Sequence, residues 1–168
     1  MRSAVGDDFA IVFRFSQWKA NLYTARIAAT PQELERMLTP LAEAGVDVFH
    51  PSTRRHWLPE FPEDDATLTL AGWAKRLTGR AIITVGSIGV QTEFRGAGAT
   101  AEKVPLVIRE SLEERLGYLA AQFGAGEFDI VALGRALIAD PTWVAKLQAG
   151  ELDKVIPFDR THHSLSGA

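Results

Sequence analysis

The run Phe128-Asp129-Ile130-Val131-Ala132-Leu133-Gly134-Arg135-Ala136-Leu137-Ile138-Ala139-Asp140-Pro141 decides the fold. It reads as a buried parallel strand over 128–133 that breaks at a glycine beside an arginine and turns at once into a helix. Such a junction suits a phosphate. Gly134 puts no side chain between an oxyanion and the backbone amides, Arg135 offers a planar fork of donors, and a helix start carries free N–H groups. Gly-Arg after a strand is common, so its meaning depends on whether other strand ends match it.

Three further apolar runs bounded by turn residues, 9–15, 46–49 and 81–85, read as buried strands of the same kind. Between the first two, Thr30-Pro31-Gln32-Glu33 reads as a capping box with proline at the first helical position. Leu34, Met37, Leu38 and Leu41 follow on one face and Gly45 is the stop. Pro40 lies inside that pattern and is expected to kink or split the helix. A shorter amphipathic helix is expected over 68–77, ending near Gly79. Another lies within 102–123, with Leu112, Leu116 and Leu119 inward and Gly124-Ala125-Gly126 closing it. Residues 135–139 give a helical turn, Asp140-Pro141 restarts it, and 143–149 complete it. The glycine-rich stretch 86–100 reads either as a loop bordering a site or as a surface insertion. The small, polar tail 161–168 is expected to be flexible, with His162-His163 part of its composition rather than a metal site.

The chain has 168 residues, 46% of them hydrophobic, and a formal charge of −3, which gives one globular unit over 1–160 with a sizeable core. The acidic balance argues against a nucleic-acid or anionic-membrane footprint, so any anion site must be local. Cysteine is absent, which excludes disulfides, thiolate metal centres and thiol nucleophiles. The amino-terminal residues show no apolar signal core and no stretch approaches a membrane span, so the cytoplasm is the expected compartment.

Strands alternating with helices mean a parallel α/β fold, either an open doubly wound sheet or part of a TIM-type (β/α) barrel. Polar or glycine residues stand at the carboxyl end of every strand: Arg14 with Ser16, His50 with Ser52, Gly86 with Ser87, Gly134 with Arg135. Ligands bind at that end in both architectures. An open nucleotide-binding sheet favours a glycine-rich turn after its first strand, where this chain has Arg14-Phe15-Ser16-Gln17-Trp18-Lys19. A barrel is favoured, but only four units are visible, so the expectation is half of one.

Four segments in register then resemble one family: 13–19 (Phe-Arg-Phe-Ser-Gln-Trp-Lys), Ser52-Thr53-Arg54-Arg55 with Pro59-Glu60-Phe61, Thr84-Val85-Gly86-Ser87, and 132–137 with Asp140-Pro141. Together they resemble the carboxyl-terminal half of the Old Yellow Enzyme family, FMN-dependent NAD(P)H oxidoreductases or ene-reductases. The resemblance implies the last four βα units of an eight-stranded barrel with FMN at the carboxyl ends of the strands. It implies hydride transfer from NADH or NADPH through FMN to an alkene activated by a carbonyl, an enone-type small molecule. Arg14 resembles the arginine near the flavin N1 and C2 carbonyl, where a fixed cation favours the reduced, anionic ring. Gly86 with Ser87, and Gly134 with Arg135, resemble the two phosphate-binding pairs. Arg54, Arg55 and Trp57 fall on the loop that faces substrate or nicotinamide. The His/Asn or His/His pair and the tyrosine proton donor of the family belong to the other half. Tyr23 and Tyr118 match neither, so no catalytic residue beyond Arg14 as flavin stabiliser is carried over.

Each residue also has a plainer reading: Arg14 as a buried, carboxylate-paired arginine, Gly86 as a tight turn, Arg135 as a solvated side chain, and Arg54 and Arg55 as loop ties to Glu60, Glu63 or Asp64. His50 reads as a proton carrier or a hydrogen-bonded core histidine. Two other functions fit the same residues. One is a self-standing half-barrel that pairs with a second copy and binds FMN or another phosphate without turnover. The other is a non-flavin sugar-phosphate barrel enzyme. The partner expected from the resemblance to the Old Yellow Enzyme family is the missing amino-terminal half-barrel.

Overall fold

A computed structural model of the chain describes residues 1–19, 22, 25–90 and 110–158. The elements are α1 (Arg2–Val5), β1 (Val12–Ser16), α2 (Pro31–Glu43), β2 (Val48–Ser52), α3 (Leu70–Thr78), β3 (Ala81–Thr84), α4 (Leu112–Gly124), β4 (Ile130–Val131), α5 (Arg135–Ala139) and α6 (Trp143–Gln148). The four strands are parallel in the order β1-β2-β3-β4. Sequential order without a reversal is that of consecutive barrel units, whereas a doubly wound sheet reverses at a switch point. Among the described residues no helix is long and apolar enough to cross a membrane.

One sheet face is closed and the other open. Phe15, Phe49 and Ile82 alternate onto the face covered by α2 and α3, where they meet Leu34, Leu38, Leu70 and Trp73. On the opposite face the register aligns Val12 with Val48 and Ala81, then Arg14 with His50 and Ser16 with Ser52, and Ile83 with Ile130. A second apolar cluster joins Ile88 and Val90 after β3 to Ala136, Ala139 and Trp143, with Phe158.

Local chemistry explains several boundaries. In α2, Thr30 accepts from the Glu33 amide at 3.2 Å, but Glu33 reaches back to the amide of Ala29 at 2.7 Å, so the expected box is shifted by one residue. The helix runs unbroken through Pro40, contrary to expectation. Pro40 stands in the last turn, and the carbonyl it leaves without a donor, on Arg36, belongs to the exposed side. The full capping box is instead at α4, between Ser111 and Glu114.

The first strand starts at Val12 rather than at residue 9, because the chain before it is taken up by α1 and a turn. The fourth is two residues long and open, with Ile130 49% and Val131 37% exposed. The expectation of a buried fourth strand is therefore corrected: β4 is an edge, paired only with β3. Beside it Leu116, Leu119, Phe123, Phe128, Val131 and Leu147 line an open apolar groove. Residues 91–100 of the glycine-rich loop, the tail 161–168 with His162 and His163, and Tyr23 lie outside the described residues.

At the amino ends of the strands two aspartates tie neighbours together. Asp47 accepts the Ile11 amide at 2.7 Å and the Arg2 guanidinium, and Arg2 also donates to the carbonyls of Gly45 and Phe9 at 2.7 Å each. Asp129 accepts the Ile82 amide at 2.8 Å and the Lys75 ammonium at 2.9 Å. The Ile11 amide and then Arg2 hold the Asp47 carboxyl below its ordinary range. Burial acts the other way on Asp129, but Lys75 and the Ile82 amide outweigh it.

Candidate functional site

Parallel strands bring all their carboxyl ends to one edge, and there a cavity of about 320 Å³ opens. Its wall takes Arg14 from β1, Ser52 to Arg54 from the end of β2, Gly86 and Ser87 from the end of β3, and Gly134 and Arg135 from the end of β4. Six candidate residues from four separate segments, Arg14, Arg54, Gly86, Ser87, Gly134 and Arg135, thus share one cavity.

The turn after β3 is its most constrained part. Gly86 has φ +146°, and a Cβ there would lie 2.4 Å from Thr53 Oγ1 and 2.8 Å from the Thr53 carbonyl. Thr53 cannot yield, since its hydroxyl donates to the Val85 carbonyl at 2.5 Å. Ser87 follows with φ +53°, the sole non-glycine residue with positive φ among those described. Strain of this kind persists where the surroundings enforce it, and here three groups do. The Ser87 hydroxyl donates to the Arg54 carbonyl at 2.7 Å, the His56 amide donates to the Gly86 carbonyl at 3.3 Å, and Arg115 of α4 donates to the carbonyls of Ser87, at 2.9 Å, and of Val90. With the carbonyls occupied, the amides of Gly86 and Ser87 have no acceptor among the described residues. Neighbouring donors with no acceptor beside a cavity are able to bind an anion.

Across the cavity Gly134 caps α5. Nothing approaches within 4 Å of the place a Cβ would take, and its amide too has no acceptor among the described residues. With only five residues in α5, the helix contributes little dipole. The charge at this strand end comes instead from Arg135, whose guanidinium lies over the Phe158 ring at 5.5 Å.

Arg14 is exposed, and its guanidinium donates to Ser52 Oγ at 3.3 Å; it makes no ion pair with a described carboxylate. The reading of Arg14 as a buried, carboxylate-paired residue is thereby corrected. Its neighbour in register, His50, is half-buried with Nε2 unsatisfied, and burial followed by the Arg14 charge pushes its pKa down. That keeps His50 neutral near pH 7, and it does not line the cavity.

The loop after β2 separates the remaining candidates. Arg54 lies over the Trp18 ring at 6.0 Å and lines the main cavity together with a smaller one of about 180 Å³, where Arg55 also sits. Trp57 lines neither; it stacks on Tyr118 at 6.4 Å. His56, buried, shares Nδ1 with Gln122 Oε1 at 2.9 Å, and Gln122 Nε2 donates to the His56 carbonyl at 3.0 Å. Burial pushes the His56 pKa down, against the Gln122 bond.

Sequence reasoning passed over Arg115 and Gln122, although a signal was present. They are seven residues apart and fall on the Leu112-Leu116-Leu119 side of α4, so polar side chains interrupt an apolar stripe. Both are buried, Arg115 to 2% exposure, and they support the turn and the loop from behind.

No family model matches the chain. Over 161 residues, 92% of its length, the chain is 30% identical to an NADH oxidase of Thermoanaerobacter brockii. It spans 20% of that relative, so the similarity is to one part of a much longer oxidoreductase.

Proposed function

We propose that the chain is the FMN-binding, carboxyl-terminal part of an NAD(P)H-dependent flavin oxidoreductase of the Old Yellow Enzyme type, with the 320 Å³ cavity as the seat of the cofactor. The observation that carries this reading is the convergence of Arg14, Gly86, Ser87, Gly134 and Arg135 on one cavity. The unacceptored amides of Gly86, Ser87 and Gly134 suit phosphate oxygens, and the space at Gly134 admits them. Arg135 adds a charge-assisted contact, and Arg14, set back on β1 and paired with no described carboxylate, faces the electron-rich edge of the ring. Bound FMN supplies hydride carriage between a nicotinamide and an activated alkene. The chain's own residues bind the phosphate, orient the ring and hold a fixed positive charge beside it.

The open sheet face and the apolar groove at β4 favour a partner that completes the barrel, whether the amino-terminal half or a second copy. Titration of the purified chain with FMN, followed by flavin fluorescence, tests the reading. Saturable quenching that inorganic phosphate competes away is expected. Absence of binding to either FMN or phosphate would overturn it, and phosphate binding without FMN would favour the sugar-phosphate alternative.

A further inference from the structure

Arg115 of α4 carries a buried charge with no described carboxylate in contact with it. It is 2% exposed, and its hydrogen bonds go to carbonyls: Nε donates to Ser111 at 3.1 Å, and Nη1 donates to Ser87 at 2.9 Å and to Val90. Burial pushes its pKa down, and Glu110 opposes this through its charge, without a hydrogen bond. A buried cation is costly unless an opposite charge compensates it.

The Ser87 carbonyl is the last of three in a row that are each held by a donor from another segment. Thr53 Oγ1 donates to Val85, the His56 amide to Gly86, and Arg115 to Ser87. All three peptides are trans, so each places its N–H opposite to its carbonyl. The N–H groups concerned are those of Gly86, Ser87 and Ile88, and the Ile88 amide, like the other two, has no acceptor among the described residues. Gly86, Ser87 and Ile88 line the main cavity, whereas His56 and Arg115 do not. Carbonyls held from behind leave successive amides for the cavity side, and consecutive N–H groups in a turn make an anion-binding concavity. The Thr53 and His56 donors are neutral; Arg115 brings a charge.

We propose that Arg115 is the positioning residue of the turn after β3: it holds the Ser87–Ile88 peptide so that the Ile88 amide joins those of Gly86 and Ser87 around an anion, and the anion balances its buried charge from the far side of that peptide. Arg115 does not touch the ligand. It acts through the Ser87 carbonyl, because hydrogen bonds linked through one peptide polarise and strengthen each other. Arginine suits the task, since its fork reaches the carbonyls of three residues at once, whereas lysine would bring the same charge from a single atom. The proposal rests on the main cavity taking an anion, as in the function proposed above, and does not require that the anion be part of FMN.

Inorganic phosphate serves as the probe for the full-length chain, by calorimetry at fixed pH and by backbone amide NMR signals, with FMN titrated separately. Phosphate is expected to shift the amide signals of Gly86, Ser87 and Ile88 together. Arg115→Gln, which keeps a donor without the charge, should lower phosphate affinity about tenfold, and Arg115→Lys, which keeps the charge, should fall between it and the wild type. Leu119→Ala, a cavity on the same helix, should lower the melting temperature and leave phosphate affinity unchanged. Equal affinity loss in Leu119→Ala and Arg115→Gln, Arg115→Gln binding as tightly as Arg115→Lys, or an Ile88 signal that stays still while those of Gly86 and Ser87 move would each overturn the proposal. The Ile88 signal is read on the wild type, so it decides even where Arg115→Gln does not fold. Phosphate binding without FMN uptake would refute the cofactor reading alone, and binding of both that Arg115→Gln leaves unaltered would refute the role of Arg115 alone.

Discussion

The two ends of the sheet are built on opposite principles. At the amino ends, Asp47 and Asp129 are consumed by short contacts to a cation and to an amide within one residue of the start of an adjacent strand. At the carboxyl ends, Arg14, Arg54, Arg55 and Arg135 border cavities, and the amides of Gly86, Ser87 and Gly134 have no acceptor among the described residues. One end is satisfied internally and the other is arranged for something from outside. This is the division of a (β/α) barrel, in which stability lies below and chemistry above.

Substitutions test that division. The largest effect is expected from Gly86→Ala, because the new methyl meets Thr53 at a position its hydroxyl bond keeps fixed. A loss of about 1–3 kcal/mol of stability, read as a lowered melting temperature, should come with loss of phosphate and FMN binding. Arg135→Ala should weaken FMN binding by about 1.5–3 kcal/mol, measured by fluorescence titration, while the melting temperature moves little. Equal damage to both measures would break the comparison. Asp129→Ala should do the reverse at the opposite end. The lost Lys75 and Ile82 contacts cost about 1 kcal/mol or less for a partly exposed pair, and FMN affinity should be unchanged.

Acid should separate the ends as well. His56 and His50 have lowered pKa values in the folded chain, so below their ordinary 6.5 the unfolded chain takes up protons that the native one refuses, and stability falls as pH drops from there. Asp47 and Asp129 are also lowered, so their contribution persists above 3.8 and disappears only as pH falls below it. Melting curves should therefore weaken in mild acid through the carboxyl-end loop and in strong acid through the amino-end ties. His56→Gln should reduce the first phase and leave the second.

The features legible in the sequence were those governed by local chemistry. Buried runs gave the parallel order, and glycine beside serine or arginine marked two of the strand ends that meet at the cavity. The burial of β4 was misjudged because Ile130 and Val131 are as apolar as a buried strand, and sequence does not say whether the neighbour that would cover them is present. Arg115 and Gln122 were missed because their partners are 25 to 66 residues away, mostly backbone groups that carry no residue signature. Trp57 was grouped with Arg54 by adjacency along the chain, and the turn at His56 sends it to Tyr118 instead.

Arg14 has one more consequence, for colloidal behaviour. On the open face it stands between Val12 and the strand ends, in register with His50. Two such faces could stack dry along the rows of Val12, Val48, Ala81, Ile83 and Ile130, but stacking would bury the guanidinium without a counter-charge. An inward-pointing charge of this kind keeps exposed sheets apart. The same side chain that would face a bound ring thus also keeps the uncovered chain in solution, and its replacement by an apolar residue is expected to show first as precipitation.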